Sequence, residues 1–357
     1  MALALALDKT ATGPLAGVQV VELGGKGSVG FAAMLLADLG ADVKRILRPT
    51  DSRAQAAADG INRGKSGVHL DLATDEGRRS ALALIARADI VIEGFRTGVA
   101  DALGVGSDAC LAVNPRVVYG TVTGWGRGGP LAYSPGHDIN FIALSGALHP
   151  IGEAGGPPVV PSNFVGAAGG GAMSLAFGVV AALWESRRSG QGQVVDASIV
   201  DGSSMLTTGI RNFVNAGEWS DDRGSNLLDG GAPFYGVYET LDQEYVSIGA
   251  LEPQFYRLLL SLLEIPEGSF PEQLDREKWA FARSVLADRF RTKTRDEWCQ
   301  LLEGTDVCFA PVLSLAEAPL HRHNTARQAF LRVDDAWQPA PSPRFSRTAP
   351  GAPRPMD

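Results

Sequence analysis

The chain has 357 residues, of which 45% are hydrophobic, 20% charged and 7% aromatic: ordinary globular values, with length enough for two domains or one elaborated one. The formal net charge is −8 and no long Lys/Arg run occurs, which excludes the basic stripe a nucleic-acid partner would want. The three cysteines, Cys110, Cys299 and Cys308, lack metal-ligand spacing and are odd in number, so the sequence suggests neither a metal centre nor a disulfide framework and suits a reducing cytoplasm.

Residues 1–13, opening MALALALDKT, lack a basic start and a small-residue cleavage site and read as a disordered leader rather than a signal peptide. Residues 18–23 (VQVVEL) read as a buried strand, followed by a glycine-rich turn, a helix over 31–39 closed by Gly40, and a strand over 42–47. That βαβ unit implies a right-handed crossover and a parallel sheet. The pattern continues with VHLDL at Val68, a helix over 75–87, DIVIE at Asp89, a helix over 107–113 and RVVYGTVTG at Arg116. A helix is expected over 170–187 and a strand over 193–200. The longest apolar candidate, 172–184, is too short to span a bilayer, so no membrane span is expected.

From Gly231 the texture changes. APFYGVYET and EYVSIGA read as antiparallel strands joined at 241–243, and a helix begins at Glu252 with Pro253 at its first position. The tail after Trp337 is too proline-rich for regular structure. The expected class is α/β: a doubly wound, Rossmann-like large domain over 14–224, joined by 331–357, and a smaller α/β domain over 225–330.

Gly25-Lys26-Gly27-Ser28-Val29-Gly30 is a G-x-G-x-x-G between a strand and a helix. A nicotinamide site would place an acidic residue about 20 positions on. The second strand instead ends Ile46-Leu47-Arg48-Pro49, where Arg48 would suit a phosphorylated ribose. An NADP-dependent enzyme, a tight turn beside a packed helix, and a pocket for some other ligand all remain open.

Among five histidines, His137 alone is flanked by glycine and charge, in Gly136-His137-Asp138-Ile139-Asn140 at a loop-to-helix junction. Such a residue serves either packing and hydrogen bonding or acid–base chemistry. GHDINFIALSGAL, NFVGAAGGGAM, ALWESRRSGQGQVVDASIVDGSS, LLDGGAPFY and ALEPQFY, in this order and spacing, resemble the α-methylacyl-CoA racemase branch of the type III CoA-transferase (CaiB/BaiF) family. VVELGG, DLGADVKRI, EGFRTGVADALG and TGWGRGGPL upstream fit as well, so the resemblance covers about residues 14–348.

The resemblance implies an interlocked homodimer that abstracts the α-proton of an acyl-CoA thioester, with no cofactor beyond the CoA of the substrate. It implies His137 as a base paired with Glu252, Asp138 in support, and a CoA site lined by Arg48, Leu72, Gly94, Phe95, Arg96, Gly136, His137 and Asp138. A neutral imidazole held by a carboxylate suits the weak acidity of such a proton. Glu252 also starts a helix, so capping is its alternative role. The helix N-terminus after GHDIN is a candidate for stabilising the enolate oxygen.

Four positions depart from the family, among them Ala168, where a bulky residue is usual. Ala167, in Gly166-Ala167-Ala168-Gly169-Gly170, stands where the resemblance implies an aspartate, the base for the other face of the substrate and the nucleophile of transferring members. Ala73 and Ala102 stand where lysine and arginine are common, each removing a phosphate contact worth about 1–3 kcal/mol if charge-assisted and partly buried. Lys26, Arg63 and Lys65 either compensate or are solvated surface charges. The expectation is therefore a one-base enzyme turned to non-racemising isomerisation, elimination or cyclisation of a thioester or related carbonyl compound in biosynthesis. The alternatives are a true 2-methylacyl-CoA racemase whose second base is Asp138, Asp229 or a water, and a non-catalytic thioester-binding protein.

Overall fold

A computed structural model describes residues 12–25, 27–266, 268–333 and 335–357. The expected leader lies outside them save for Thr12 and Gly13, as does Lys26. The chain divides into two compact units: residues up to Ala147, Pro161–Thr208 and Ala326–Asp357 form the first, Leu148–Val160 and Gly209–Thr325 the second. The boundary read at 224/225 thus falls inside the second unit, which also takes in 148–160. Arg223 gives the reason: its Nε donates to the His149 carbonyl at 2.8 Å, a long-range tie that local patterning does not reveal.

The first unit contains β1 (Gln19–Gly25), β2 (Asp42–Leu47), β3 (Lys65–His69), β4 (Ile90–Gly94), β5 (Val118–Thr123) and β6 (Val194–Ser198). Its helices are α1 (Ser28–Asp38), α2 (Arg53–Ala58), α3 (Asp75–Ile85), α4 (Val99–Ala102), α5 (Ser107–Val113), α6 (Asp138–Ser145), α7 (Ser174–Ser189) and α8 (Ile199–Leu206). The strands form one six-stranded sheet in the order β3-β2-β1-β4-β5-β6, with every pair parallel. Both faces are covered, so the strands read as continuous apolar runs. Val20, Ile90 and Ile92 point into a layer with α1 and α7, while the alternating Val21 and Val91 point into a layer with α3 and α5.

Three local readings are corrected. β3 starts at Lys65 rather than Val68, because the Lys65 ammonium is buried against Glu22 at 2.8 Å and so can enter the sheet. The strand read over 193–200 stops at Ser198, whose hydroxyl accepts from Asp201 N–H at 3.0 Å and caps α8. The helix read from Gly170 begins instead with π-helical turns over Phe164–Met173 and continues as α7.

The resulting run, Phe164–Ser189, has 26 residues, and its most apolar 18-residue window has mean hydropathy 1.7, which is long and apolar enough to cross a membrane by length and composition. This corrects the expectation drawn from 172–184, because the glycine-rich stretch extends the helix instead of breaking it. One face of the run belongs to the protein core: Leu175, Val179, Ala182 and Leu183 are buried, with the first two lying against Gly120 of β5.

The second unit holds β7 (Tyr235–Glu239), β8 (Tyr245–Gly249) and β9 (Phe309–Pro311) as an antiparallel sheet. Its helices include α9 (Thr208–Asn215), α10 (Pro253–Leu262), α11 (Trp279–Phe290) and α12 (Arg295–Leu302). Phe234, Tyr238, Leu259, Phe290 and Trp298 are buried together. The Trp298 indole N–H donates to the Phe290 carbonyl at 2.7 Å, which satisfies its one polar group in an apolar core.

Back in the first unit, β10 (Phe330–Val333) and β11 (Ala336–Pro339) form an antiparallel hairpin. The tail is therefore regular as far as Pro339, two residues past Trp337. Arg63 secures it, donating to Gln338 Oε1 at 3.0 Å and to the Pro339 carbonyl at 2.8 Å.

Candidate active site

Because the strands of the large sheet are parallel, their carboxyl ends share one edge, where such sheets bind ligands. Arg48 follows β2 there, exposed, with its backbone N–H donating to Asp51 Oδ2 at 2.8 Å. Leu72 lies just past β3 and is half-buried against the α3 layer. Gly94 ends β4, followed by half-buried Phe95 and exposed Arg96.

Gly25 and Gly94 meet closely: a Cβ on Gly25 (φ +117°) would lie 2.7 Å from Val29 Cγ1 and 2.9 Å from Gly94 Cα. A Cβ on Gly24 would lie 2.9 Å from the Phe95 ring. Gly24 and Gly25 thus admit packed protein atoms, as a tight turn requires, while Gly27 (φ +67°) faces open space.

Two of the three cations offered as replacements for the missing phosphate contacts are described, and both are engaged inside the fold. Arg63 pairs with Asp38, with side chains 5% and 4% exposed, and Lys65 pairs with Glu22, both fully buried. They are neither free for a phosphate nor solvated surface charges. Burial lowers the Lys65 pKa, with the Glu22 carboxylate opposing the shift.

Beyond β5 the chain reaches Gly136 and α6. Gly136 is tight because a Cβ would stand 2.7 Å from the Phe141 ring. His137 is the N-cap of α6 in extended conformation, and its backbone N–H donates to Asn140 Oδ1 at 3.0 Å. Its ring is exposed, and residues 137 and 140 form a capping box in which the Asn140 side chain answers the His137 backbone N–H. Asp138 opens the helix and is only 8% exposed. Its Oδ1 accepts the Ala167 N–H, while its Oδ2 is buried without a partner. The helix starts at Asp138 itself, so the motif forms the first turn rather than preceding it.

The structure therefore brings Asp138 and Ala167 together, with His137 adjacent in the chain. Ala167 is half-buried, and Gly166 beside it leaves the space that Asp138 occupies. Glu252 belongs to the second unit, where it is the exposed N-cap of α10 without a side-chain cap hydrogen bond. Asp229, also in the second unit, spends both carboxylate oxygens on its own loop, accepting from Gly224, Asn226 and Gly231 N–H groups at 2.9, 2.8 and 3.0 Å.

Among the described residues no group of three or more His, Cys, Asp or Glu could hold a metal ion. One notable carboxylate, Glu93, opens the EGFRTGVADALG segment, yet the resemblance implies no role for it. Its signal is an acidic residue near the end of an otherwise apolar strand, as in Glu22 of VVELGG.

The profile described as CoA-transferase family III matches residues 15–356. The α-methylacyl-CoA racemase of Mus musculus is 41% identical over 335 residues, covering 94% of this chain and 87% of that one. The α-methylacyl-CoA racemase of Homo sapiens is 40% identical with the same coverage. A CaiB/BaiF family protein from Brucella suis superposes with a TM-score of 0.83 at 24% identity, over 97% of this chain and 96% of the other, a likeness of fold.

Proposed function

This chain belongs to CoA-transferase family III, and from that premise we propose that it is an acyl-CoA enzyme working through a single base, His137, oriented by Glu252. The family relationship supports action on a CoA thioester. In the proposed step the neutral His137 imidazole takes the α-proton and the C–H electron pair moves onto the thioester carbonyl as an enolate. N–H groups at the start of α6 suit the developing oxyanion by their orientation and partial charge.

The observation that carries the one-base reading is Ala167. Its methyl group can neither take nor give a proton, and its backbone N–H is already bound by Asp138. The enolate would then regain its proton from the side it left or pass into isomerisation, elimination or ring closure. CoA enters as part of the substrate, and the reading calls for no other cofactor.

A second reading, racemisation with a replacement acid, is favoured by one observation: the unpartnered Oδ2 of Asp138 next to position 167. Of the two candidate carboxylates, Asp229 is the less suited because its oxygens hold its own loop together.

Deuterium wash-in separates the readings. The protein is incubated in heavy water with 2-methylacyl-CoA of one configuration, and mass and chirality are followed together. Uptake with retention supports the single base, and uptake with inversion supports Asp138 as a second acid. No uptake rules out α-proton chemistry on this substrate.

The homodimer is part of the same proposal. Met173, Phe177 and Trp184 recur at helical spacing along one run and are 54%, 79% and 68% exposed, an apolar stripe of the kind that marks an interaction surface. A second copy of the chain is the partner we assign to it, and we read the dimer as a cytoplasmic protein.

A further inference from the structure

We propose that Glu93 is a positioning residue for the nucleotide end of a CoA ester, holding the 94–98 loop in the shape that presents Phe95 and Arg96 to the ligand. This rests on the reading above that those two residues face CoA. Glu93 is the penultimate residue of β4 and is 6% exposed. Its Oε2 accepts the Phe95 N–H at 2.6 Å, so the carboxylate turns back to grip the loop that follows it. The β4–β5 register sets Glu93 opposite Thr121.

The same carboxylate lines a small surface cleft of about 10 Å³ together with Arg96, Thr97, Asp101, Tyr119 and Arg127. Arg127, 4.0 Å from Asp101, adds a cation to that lining. Phe95 is fixed a second time, by the seating of its ring over Gly24. The backbone is thus held from below by an acceptor and the side chain from beside by a glycine surface. Arg96, in the middle of the loop, is left exposed.

Burying a carboxylate is costly, and burial is the largest influence on Glu93, raising its pKa against the Thr121, Phe95 and Arg127 groups that lower it. An apolar side chain would fill the space under β4 without that cost. What an apolar residue cannot supply is an acceptor for the Phe95 N–H at the point where the strand becomes the loop.

The test is CoA binding by calorimetry on the full chain, comparing wild type with E93A and E93Q, together with α-proton exchange at saturating 2-methylacyl-CoA and the thermal midpoint of each protein. Gln keeps the volume and offers a carboxamide oxygen to the Phe95 N–H. E93A is expected to weaken CoA binding on the order of tenfold, with E93Q recovering most of the loss. The saturating exchange rate should stay within about twofold of wild type, because positioning the nucleotide end alters ground-state binding rather than the chemical step.

Unchanged CoA affinity in a folded E93A protein overturns the proposal, as does a loss of saturating rate equal to the loss of affinity. If E93A does not fold, failure of E93Q to bind CoA like wild type overturns it. Wild-type protein that binds no CoA overturns the underlying CoA reading and this proposal with it.

Discussion

Position 167 and its neighbour Asp138 set the chemistry open to the candidate site. A carboxylate introduced at 167 would enter a half-buried position whose backbone is already held by Asp138. We expect Ala167→Asp to create or raise racemisation of 2-methylacyl-CoA, read as inversion accompanying deuterium uptake. A folded, CoA-binding variant without that gain would point to remodelling of the pocket beyond one side chain. His137→Ala should slow α-proton exchange by about 10²–10⁴-fold, the usual worth of a positioned base. Exchange at the wild-type rate would remove His137 from the mechanism. The residue types at 137, 167 and 252 were legible directly, whereas the burial of Asp138 and its bond to Ala167 were not. That bond joins segments 29 positions apart, so no local pattern encodes it.

At the scale of the element, the glycines of Gly166–Gly171 illustrate an ambiguity in sequence reading. Clustered glycines suggest a loop, yet here they sit in π-helical turns packed against α8 and α1. A Cβ on Gly170 would stand 2.6 Å from the Ser203 backbone nitrogen, and one on Gly171 2.8 Å from Ser28 Oγ. Gly202 of α8 faces the Gly170 carbonyl with no room for a methyl. Gly202→Ala should therefore destabilise the protein by about 1–3 kcal/mol through overpacking. Urea unfolding should show a lower midpoint at unchanged slope, and an unchanged midpoint would mean that the contact relaxes freely. The apolar strands were readable because covering both faces demands continuous hydrophobic runs. β3 was misplaced because its first residue is a lysine, admissible in a sheet only when a buried partner such as Glu22 waits for it.

At the scale of the whole molecule, the exposed Met173–Phe177–Trp184 stripe bears on assembly. The wild-type chain is expected to sediment as a dimer at micromolar concentration, and Phe177→Glu with Trp184→Glu to shift it toward monomer. A monomeric wild type would leave the stripe to another partner. By itself the sequence determined the α/β class, the parallel sheet, the change of texture after Gly231 and the family, because periodicity, turn residues and ordered motifs are local properties of the chain. Only the tertiary structure decided that 148–160 joins the second unit, that Arg63 and Lys65 are internal ion-pair partners rather than phosphate contacts, and that Asp138 and Glu93 are buried. Those outcomes depend on which charges meet across long separations, and the free energy of burying a charge is set by the partner it finds.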